Sequence, residues 1–207
     1  DPLEERVQDF VGGEADLHAG LLRAIGDPRA RMTEDKLRML RAVRFAATLD
    51  FELDAGTAAA VREMADQILV VSWERIAMEL RKMLRHRHRR RAVRLMLQLG
   101  LLERIIPELT PWTQDRESIE WTHTLETLEL LDEPTFEVAA AVLLQGLSPR
   151  AAGPGKHADC TGTVTGVGRR LRLSNAETEA VSWLVEHRSA FAGAESFAPS
   201  RLKRLLA

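Results

Sequence analysis

Apolar residues recur every three or four positions along most of the chain, and no segment shows the strict alternation that is typical of a strand. After Ser72, a predicted N-cap, one apolar stripe is formed by Trp73, Ile76, Leu80, Met83 and Leu84. Other helices are predicted at residues 54–68, before Gly100, at 118–131, 136–144 and 174–187, and from Pro199 onward, with a Gly- and Pro-rich loop at 146–160. The pattern predicts an all-α fold.

The thirteen residues that begin at Glu34, EDKLRMLRAVRFA, form the most informative segment. Thr33 is the predicted N-cap of a helix, and Leu37, Leu40 and Phe45 are predicted to face inward. We therefore expect a single helix here, with one polar edge that is not used for packing.

This polar edge carries acids and arginines at contact spacing. Glu34 and Asp35 lie four and three residues before Arg38, so on a helix each carboxylate reaches the guanidinium within one turn. Arg41 and Arg44 follow at intervals of three residues. Such a pair can be an ordinary surface ion pair worth about 0–1 kcal/mol. Alternatively, a fixed Asp acceptor beside a fixed Arg donor reads a base edge, accepting cytosine and adenine and rejecting uracil and guanine.

The same segment resembles the fourth conserved motif of a known enzyme family, the class II CCA-adding enzymes and bacterial poly(A) polymerases, whose pattern is ED-x-x-R followed by LRA-x-RFA. Upstream, DFVGGEADLHAGLLRAIGDPRARM (residues 9–32) resembles the link from the catalytic head to the neck of that family. Downstream, SWERIAMELRKML (residues 72–84) is similar to the helix that closes the neck. The three elements lie in the expected order, and a weaker likeness continues to the C-terminus.

The resemblance implies a division of the chain and a function. Residues 1–32 would be a short irregular remnant of the head with its linker, residues 33–110 the neck, and residues 111–207 a helical body. The implied function is template-independent addition of nucleotides to an RNA 3′ end. The implied partners are tRNA or another RNA 3′ end, ATP and CTP, with Mg²⁺ as the metal of the whole enzyme. Addition of CCA, of A or C alone, or of a poly(A) tail all remain open.

The resemblance also assigns roles to the polar edge. Asp35 and Arg38 would present their polar atoms to the incoming base, and Glu34 would orient Arg38. Arg41 and Arg44 would support this pair or approach phosphate. All five residues would therefore belong to a nucleotide-binding site.

The carboxylates that perform catalysis in this family are expected to lie outside the chain. The resemblance places its metal-binding Asp pair ahead of the GG-x-x-DL turn, and only eight residues precede Asp9 here. Two-metal nucleotidyl transfer needs carboxylates that hold both ions, and the sequence has no D-x-D spacing within a strand pattern. We therefore expect this chain alone to be inactive and to bind neither the metal nor ATP or CTP. The rival interpretation is a non-enzymatic RNA-binding or assembly module derived from the same family.

Composition adds constraints on location and partners. The 207 residues contain a single cysteine, Cys160, so an intramolecular disulfide is excluded and a reducing cytoplasm is expected. No segment resembles a membrane span. The formal net charge of −2 provides no global attraction to nucleic acid, so any attraction must be local.

Such a local attraction is predicted at residues 82–94, which contain seven basic residues and no acid. The basic residues are Lys82, Arg85, Arg87, Arg89, Arg90, Arg91 and Arg94. The run can be a solvated helix end, where cations also favour the helix dipole. The family resemblance favours contact with the tRNA backbone, which is recognised through shape and phosphates.

The C-terminal half resembles the body of family members that carry a domain like the HD phosphohydrolases. In an intact HD domain, a His-Asp pair after the second apolar helix helps to hold a metal. Gln145 and Gly146 stand at those positions here. His123 aligns with the first ligand, whereas His157 and Asp159 lie in the predicted loop. A degenerate body without metal is therefore expected, and an HD-type phosphohydrolase is the alternative.

Overall fold

The computed structural model describes residues 8–147 and 160–188, and within them the prediction of an all-α fold is confirmed. The α-helices are α1 (Gly13–His18), α2 (Pro28–Glu34), α3 (Arg38–Thr48), α4 (Ala55–Met64), α5 (Trp73–Arg85), α6 (Arg89–Gln98), α7 (Leu101–Ile105), α8 (Thr110–Thr113), α9 (Ile119–Leu130), α10 (Phe136–Leu143), α11 (Cys160–Arg170) and α12 (Asn175–His187). Short 3-10 helices occupy Ala65–Val70, Pro107–Leu109 and Gln145–Leu147. Most of the predicted loop and the helix predicted from Pro199 lie outside the described residues.

Several predicted helix boundaries are confirmed by their capping contacts. Asp54 accepts a hydrogen bond from the Thr57 amide at 2.9 Å, and Ser174 forms a capping box with Glu177. Gly100 adopts the left-handed conformation, with φ of 74°, between α6 and α7. These contacts satisfy amide groups that the first turn of a helix leaves without partners.

The prediction of one helix from Glu34 onward is wrong. Helix α2 ends at Glu34, Asp35 is extended with φ of −148° and ψ of 106°, and α3 begins at Arg38. Thr33 lies inside α2 and is not its N-cap, because that helix begins at Pro28 with Asp27 as the N-cap. The Asp35 carboxylate accepts a hydrogen bond from the Leu37 amide at 3.1 Å, a local contact that competes with continuation of the helix.

A two-stranded parallel ladder was not predicted. Strand β1 (Leu21–Leu22) pairs with β2 (Glu52–Leu53), with Leu21 opposite Glu52 and Leu22 opposite Leu53. It joins the N-terminal segment to the connection between α3 and α4. Two residues per strand are too few to produce a visible alternation in the sequence.

One hydrophobic core extends through the described residues from Met32 to Val185. Helix α3 packs on α5 and α6, α10 packs on α5 and α12, and α11 packs on α12. Arg81 on α5 also bonds to Glu177 on α12 at 2.8 Å. The core is continuous across residue 110, and the predicted division into neck and body stays a prediction. No helix in the described ranges is long and apolar enough to cross a membrane.

Candidate nucleotide-binding and RNA-binding surfaces

Asp35 lies in the break between α2 and α3, and its side chain is about a quarter exposed. Besides the Leu37 amide, the carboxylate accepts hydrogen bonds from Nη2 of Arg75 on α5 at 3.1 and 3.3 Å. Arg41 lies 3.9 Å away on α3. Asp35 is therefore held from three directions, with part of its carboxylate open to solvent.

These contacts keep Asp35 ionised. Partial burial raises the pKa of Asp35, but the Leu37 amide and the charges of Arg75 and Arg41 more than offset it, so the pKa lies below its ordinary 3.8. An ionised carboxylate offers only acceptors, which suits the exocyclic amino groups of cytosine and adenine.

Arg38 pairs with Glu34 rather than with Asp35. Its Nη1 donates to the Glu34 carboxylate at 2.5 Å and to the Arg31 carbonyl at 2.8 Å. The hydrogen bond from Arg38 lowers the pKa of Glu34, and Arg31 adds to this effect. Among the described residues no partner meets Nε or Nη2 of Arg38, so these donors face outward. The structure thus brings Glu34 and Arg38 together, while Asp35 is joined to Arg75.

Arg44 has a structural partner on α5. Its Nε donates to the Glu79 carboxylate at 2.6 Å, and Lys82 approaches the same carboxylate at 3.2 Å. Glu79 is only 3% exposed. A buried charge requires such partners, so Arg44 joins α3 to α5 and its Nε is not available to a phosphate.

Phe45 does not face the protein interior, contrary to the prediction. Leu37 and Leu40 are buried, whereas Phe45 is 40% exposed. The buried side of α3 runs through Met39, Leu40, Val43 and Ala47, and Phe45 lies two residues from Val43, which is the opposite side of a helix. The Arg44 guanidinium lies over the Phe45 ring, 4.0 Å from its centroid.

Sequence reasoning missed Arg75 and Glu79, and the two differ in how they could have been found. Glu79 lies three residues after Ile76 and four before Met83, inside the apolar stripe of α5. An acid at such a position indicates a buried, paired charge. Arg75 carries no such signal, because its contact with Asp35 depends on the break before α3.

The prediction that Arg89 contacts RNA is wrong. Arg89 is 2% exposed, and its guanidinium donates to the carbonyls of Leu84, Leu128 and Leu131 at 2.9, 3.0 and 2.7 Å. It thereby satisfies carbonyl groups at the ends of α5 and α9. No phosphate can reach this side chain in the folded protein.

The remaining basic residues divide into paired and unpaired groups. Arg90 is paired with Glu129, and Arg91 bonds to Glu52 at 2.7 Å. Lys82 is held by Glu79, as above. Within the described ranges Arg85, Arg87 and Arg94 are exposed and have no ion pair.

Four of these arginines line one surface cleft beside α6. They are Arg87, Arg90, Arg91 and Arg94, and the same cleft contains Asp50, Glu52 and Glu129. The cleft therefore mixes four arginines with three carboxylates, and Arg90 and Arg91 are already paired with these acids.

The body shows packing at the positions of an HD pair. The Gln145 amide donates to Thr124 Oγ1 at 2.9 Å, and Gly146 lies against the Trp112 indole. In the described residues no group of three His, Cys, Asp or Glu side chains could hold a metal ion. His123 is exposed on α9, and the candidate ligands at 157 and 159 lie outside the described residues.

Comparisons with known proteins identify relatives of this chain. Residues 50–113 match the family model described as "Probable RNA and SrmB- binding site of polymerase A". Poly(A) polymerase I of Haemophilus influenzae is 36% identical over 116 residues, which are 56% of this chain and 26% of that protein. The CCA-adding enzyme of Bacillus velezensis is 34% identical over 153 residues, 72% of this chain and 36% of that protein.

Solved structures share the fold. The CCA-adding enzyme of Bacillus stearothermophilus in complex with CTP has a TM-score of 0.68 at 24% identity, over 96% of this chain and 45% of that one. The Thermotoga maritima CCA-adding enzyme complexed with tRNA has a TM-score of 0.60 at 20% identity, over 95% of this chain and 45% of that one. This chain thus spans less than half the length of these relatives. The chain belongs to the family of CCA-adding enzymes and bacterial poly(A) polymerases.

Proposed function

We propose that this chain is the nucleotide-selecting and RNA-binding part of a nucleotidyltransferase that extends RNA 3′ ends without a template. The observation that carries the proposal is the Asp35 carboxylate, which the Leu37 amide and Arg75 hold as a fixed acceptor. Arg38 lies at the start of the next helix with Nε and Nη2 free of described partners. Together they offer an acceptor for an amino group and donors for a ring nitrogen.

ATP and CTP are the proposed substrates, since both bases present the pattern that this pair accepts. Their use is supported by the relatives whose structures contain CTP or ATP. Mg²⁺ would supply the Lewis-acid chemistry of nucleotidyl transfer in the whole protein. No cluster of ligands among the described residues fits that ion, so we assign it no residue here.

RNA is the proposed partner of the cleft beside α6. Arg87 and Arg94 have no carboxylate partner among the described residues, and Arg90 and Arg91 lie next to them. Contacts of this kind neutralise phosphates and position an RNA without reading its sequence. A tRNA acceptor stem is the proposed ligand, because the Thermotoga maritima relative was solved with tRNA. A cytoplasmic location belongs to the same proposal and is supported by the single cysteine.

A non-enzymatic RNA-binding module is the second candidate. The unpaired Arg87 and Arg94 support it as well as they support the nucleotidyltransferase. The two candidates differ at Asp35, because an RNA-binding module needs no preference among free nucleotides. Equilibrium binding of ATP, CTP, GTP and UTP to the whole protein that contains this chain separates them.

We expect ATP and CTP to bind more tightly than GTP and UTP. Asp35→Asn replaces one acceptor oxygen by a donor amide of the same size, so it should reduce this preference by about 1–3 kcal/mol. Asp66→Asn is the matched control, because Asp66 is an exposed aspartate that is paired with Arg104 away from the site. Equal binding of all four nucleotides by the unaltered whole protein would favour the RNA-binding module.

A further inference from the structure

A single exposed apolar side chain needs no explanation by itself, but the surroundings of Phe45 are unusual. One face of the ring is covered by the Arg44 guanidinium at 4.0 Å from the centroid. The residue is still 40% exposed, so we infer that the part of the ring that Arg44 does not cover is open to solvent. Phe45 thus presents an aromatic surface to solvent.

The covering guanidinium is itself fixed. Arg44 donates to Glu79, and this buried carboxylate is also approached by Lys82. The ring consequently packs on a group that is anchored in the protein interior. An aromatic surface that is already immobilised loses little conformational entropy when a ligand stacks on it.

Phe45 continues the row that begins with the base-selecting residues. Arg38, Arg41 and Phe45 are spaced by three and four residues within α3, so they lie on one side of that helix. At 1.5 Å per residue, Phe45 lies about 6 Å beyond Arg41 and about 10 Å beyond Arg38 along the helix axis. At a base-stacking rise of about 3.4 Å, these two distances correspond to about two and about three nucleotides of a single strand.

We propose that the open face of Phe45 stacks on an unpaired base of the RNA 3′ end that is being extended. This inference rests on the proposed function and adds the place where the acceptor strand lies. A duplex base has both faces covered by its neighbours, so only a single-stranded end can supply such a base. Arg41, which is about half exposed and only loosely paired with Asp35 at 3.9 Å, lies beside the ring as a donor to the phosphate of that nucleotide. Stacking on an aromatic ring is tolerant of base identity, because every base has a π face.

The test compares two RNA hairpins with the same duplex, one blunt and one with a short unpaired 3′ extension that contains 2-aminopurine. Affinities for the full 207-residue chain are measured at one salt concentration. Phe45→Leu keeps an apolar side chain against Arg44 and removes the aromatic face, and Phe45→Trp retains it. Ile119→Ala is the control, because Ile119 is an apolar side chain that is 84% exposed on α9.

We expect the unaltered chain to prefer the extended hairpin and to quench the 2-aminopurine. Phe45→Leu should lower affinity for the extended hairpin by roughly five-fold or more, as for loss of one stacked base, and abolish the quenching. Affinity for the blunt hairpin should not change, and Phe45→Trp should preserve the preference. Equal affinities of Phe45→Leu and the unaltered chain for the extended hairpin would overturn the stacking assignment alone. Failure of the unaltered chain to bind either hairpin would overturn the proposed RNA function as well.

Discussion

The Asp35 carboxylate and the Arg75 guanidinium are 40 positions apart in the sequence and are joined by hydrogen bonds of 3.1 and 3.3 Å. This contact exists because the chain leaves helix α2 at Glu34 and re-enters a helix at Arg38. In an uninterrupted helix the carboxylate would have pointed along its own helix toward Arg38. The interruption turns Asp35 toward α5 instead, and Arg38 keeps the pairing with Glu34 that their spacing of four residues predicts.

Arg75 is therefore expected to position Asp35 without contacting the base. In the whole enzyme, Arg75→Ala should reduce discrimination between CTP and UTP by about three- to ten-fold, because loss of this hydrogen bond costs about 0.5–1.5 kcal/mol. Asp35→Ala should cost about 1–3 kcal/mol, since it removes the base contact itself. Competitive incorporation of CTP and UTP measures the loss of discrimination in both variants. Arg104→Ala, which breaks the exposed pair with Asp66, is the control; discrimination that survives Arg75→Ala unchanged would contradict the positioning role.

Arg87 and Arg94 should supply salt-dependent affinity for RNA. Each phosphate contact changes the slope of log affinity against log salt by roughly 0.7–0.9, so Arg87→Ala with Arg94→Ala should flatten the slope by about 1.5–2. All tRNA sequences should lose affinity about equally. Arg29→Ala with Arg104→Ala removes the same charge elsewhere and should leave the slope nearly unchanged. Equal slopes for the two double variants would show that Arg87 and Arg94 do not contact phosphates and that the cleft is an ordinary solvated surface.

The acids in the same cleft should oppose RNA binding. Glu129 and Glu52 engage Arg90 and Arg91 in the free protein, so a phosphate must compete with them. Glu129→Gln and Glu52→Gln should each raise affinity for duplex RNA by about two- to five-fold, in line with exposed ion pairs of about 0.2–1 kcal/mol. Glu63→Gln, at an exposed pair with Arg29, is the charge-matched control. Lower affinity in the two cleft variants would show that the acids orient the arginines for RNA.

Arg89 should matter for stability. Arg89→Leu leaves the carbonyls of Leu84, Leu128 and Leu131 without this donor, so it should lower the free energy of unfolding by about 2–4 kcal/mol. Arg94→Leu, at an exposed position on the same helix, should change it by less than about 0.5 kcal/mol. Urea denaturation distinguishes the two variants, and similar stabilities would contradict the buried capping role.

His86 should make stability depend on pH. Burial, with the neighbouring charges of His88, Arg87 and Arg89, lowers the pKa of His86 below its ordinary 6.5. The unfolded chain therefore takes up this proton at a higher pH than the folded chain does. The contribution of His86 to stability is complete above about pH 6.5 and declines as the pH falls below it.

Protonation also removes an acceptor, since Nδ1 of His86 accepts the His88 amide hydrogen at 3.2 Å. His86→Gln should accordingly reduce the difference in unfolding free energy between about pH 7.5 and about pH 5.5. A pH dependence that is identical in His86→Gln and the unaltered chain would contradict the depressed pKa of His86.

The sequence predicted the parts of the structure that depend on local spacing. The helix starts at Asp54 and Ser174 and the apolar stripe on α5 are local features, and they appear as predicted, although the predicted cap Ser72 forms no side-chain capping hydrogen bond. The break at Asp35 was missed because an acid can begin a helix or interrupt one, and the choice depends on the distant Arg75. The family resemblance was confirmed, while the roles of individual site residues stay predictions.

The basic run shows why charge counting alone was insufficient. The seven basic residues at 82–94 were predicted to share one surface, but they lie on α5, the turn after it and α6, where successive side chains point in different directions. Arg89 therefore points into the protein, Arg90 and Arg91 meet acids of other elements, and Arg87 and Arg94 remain open. Only the tertiary structure shows which of these arginines is buried, which are paired and which are exposed.

The contact between Gly146 and Trp112 leaves no room for a side chain at residue 146. A Cβ atom there would lie 2.9 Å from the indole, closer than side chains tolerate. An aspartate could occupy this position only if the tryptophan moved or were also replaced, and a histidine at residue 145 would remove the amide that donates to Thr124. Building a metal-binding His-Asp pair here would therefore require at least three coordinated changes, at residues 112, 145 and 146.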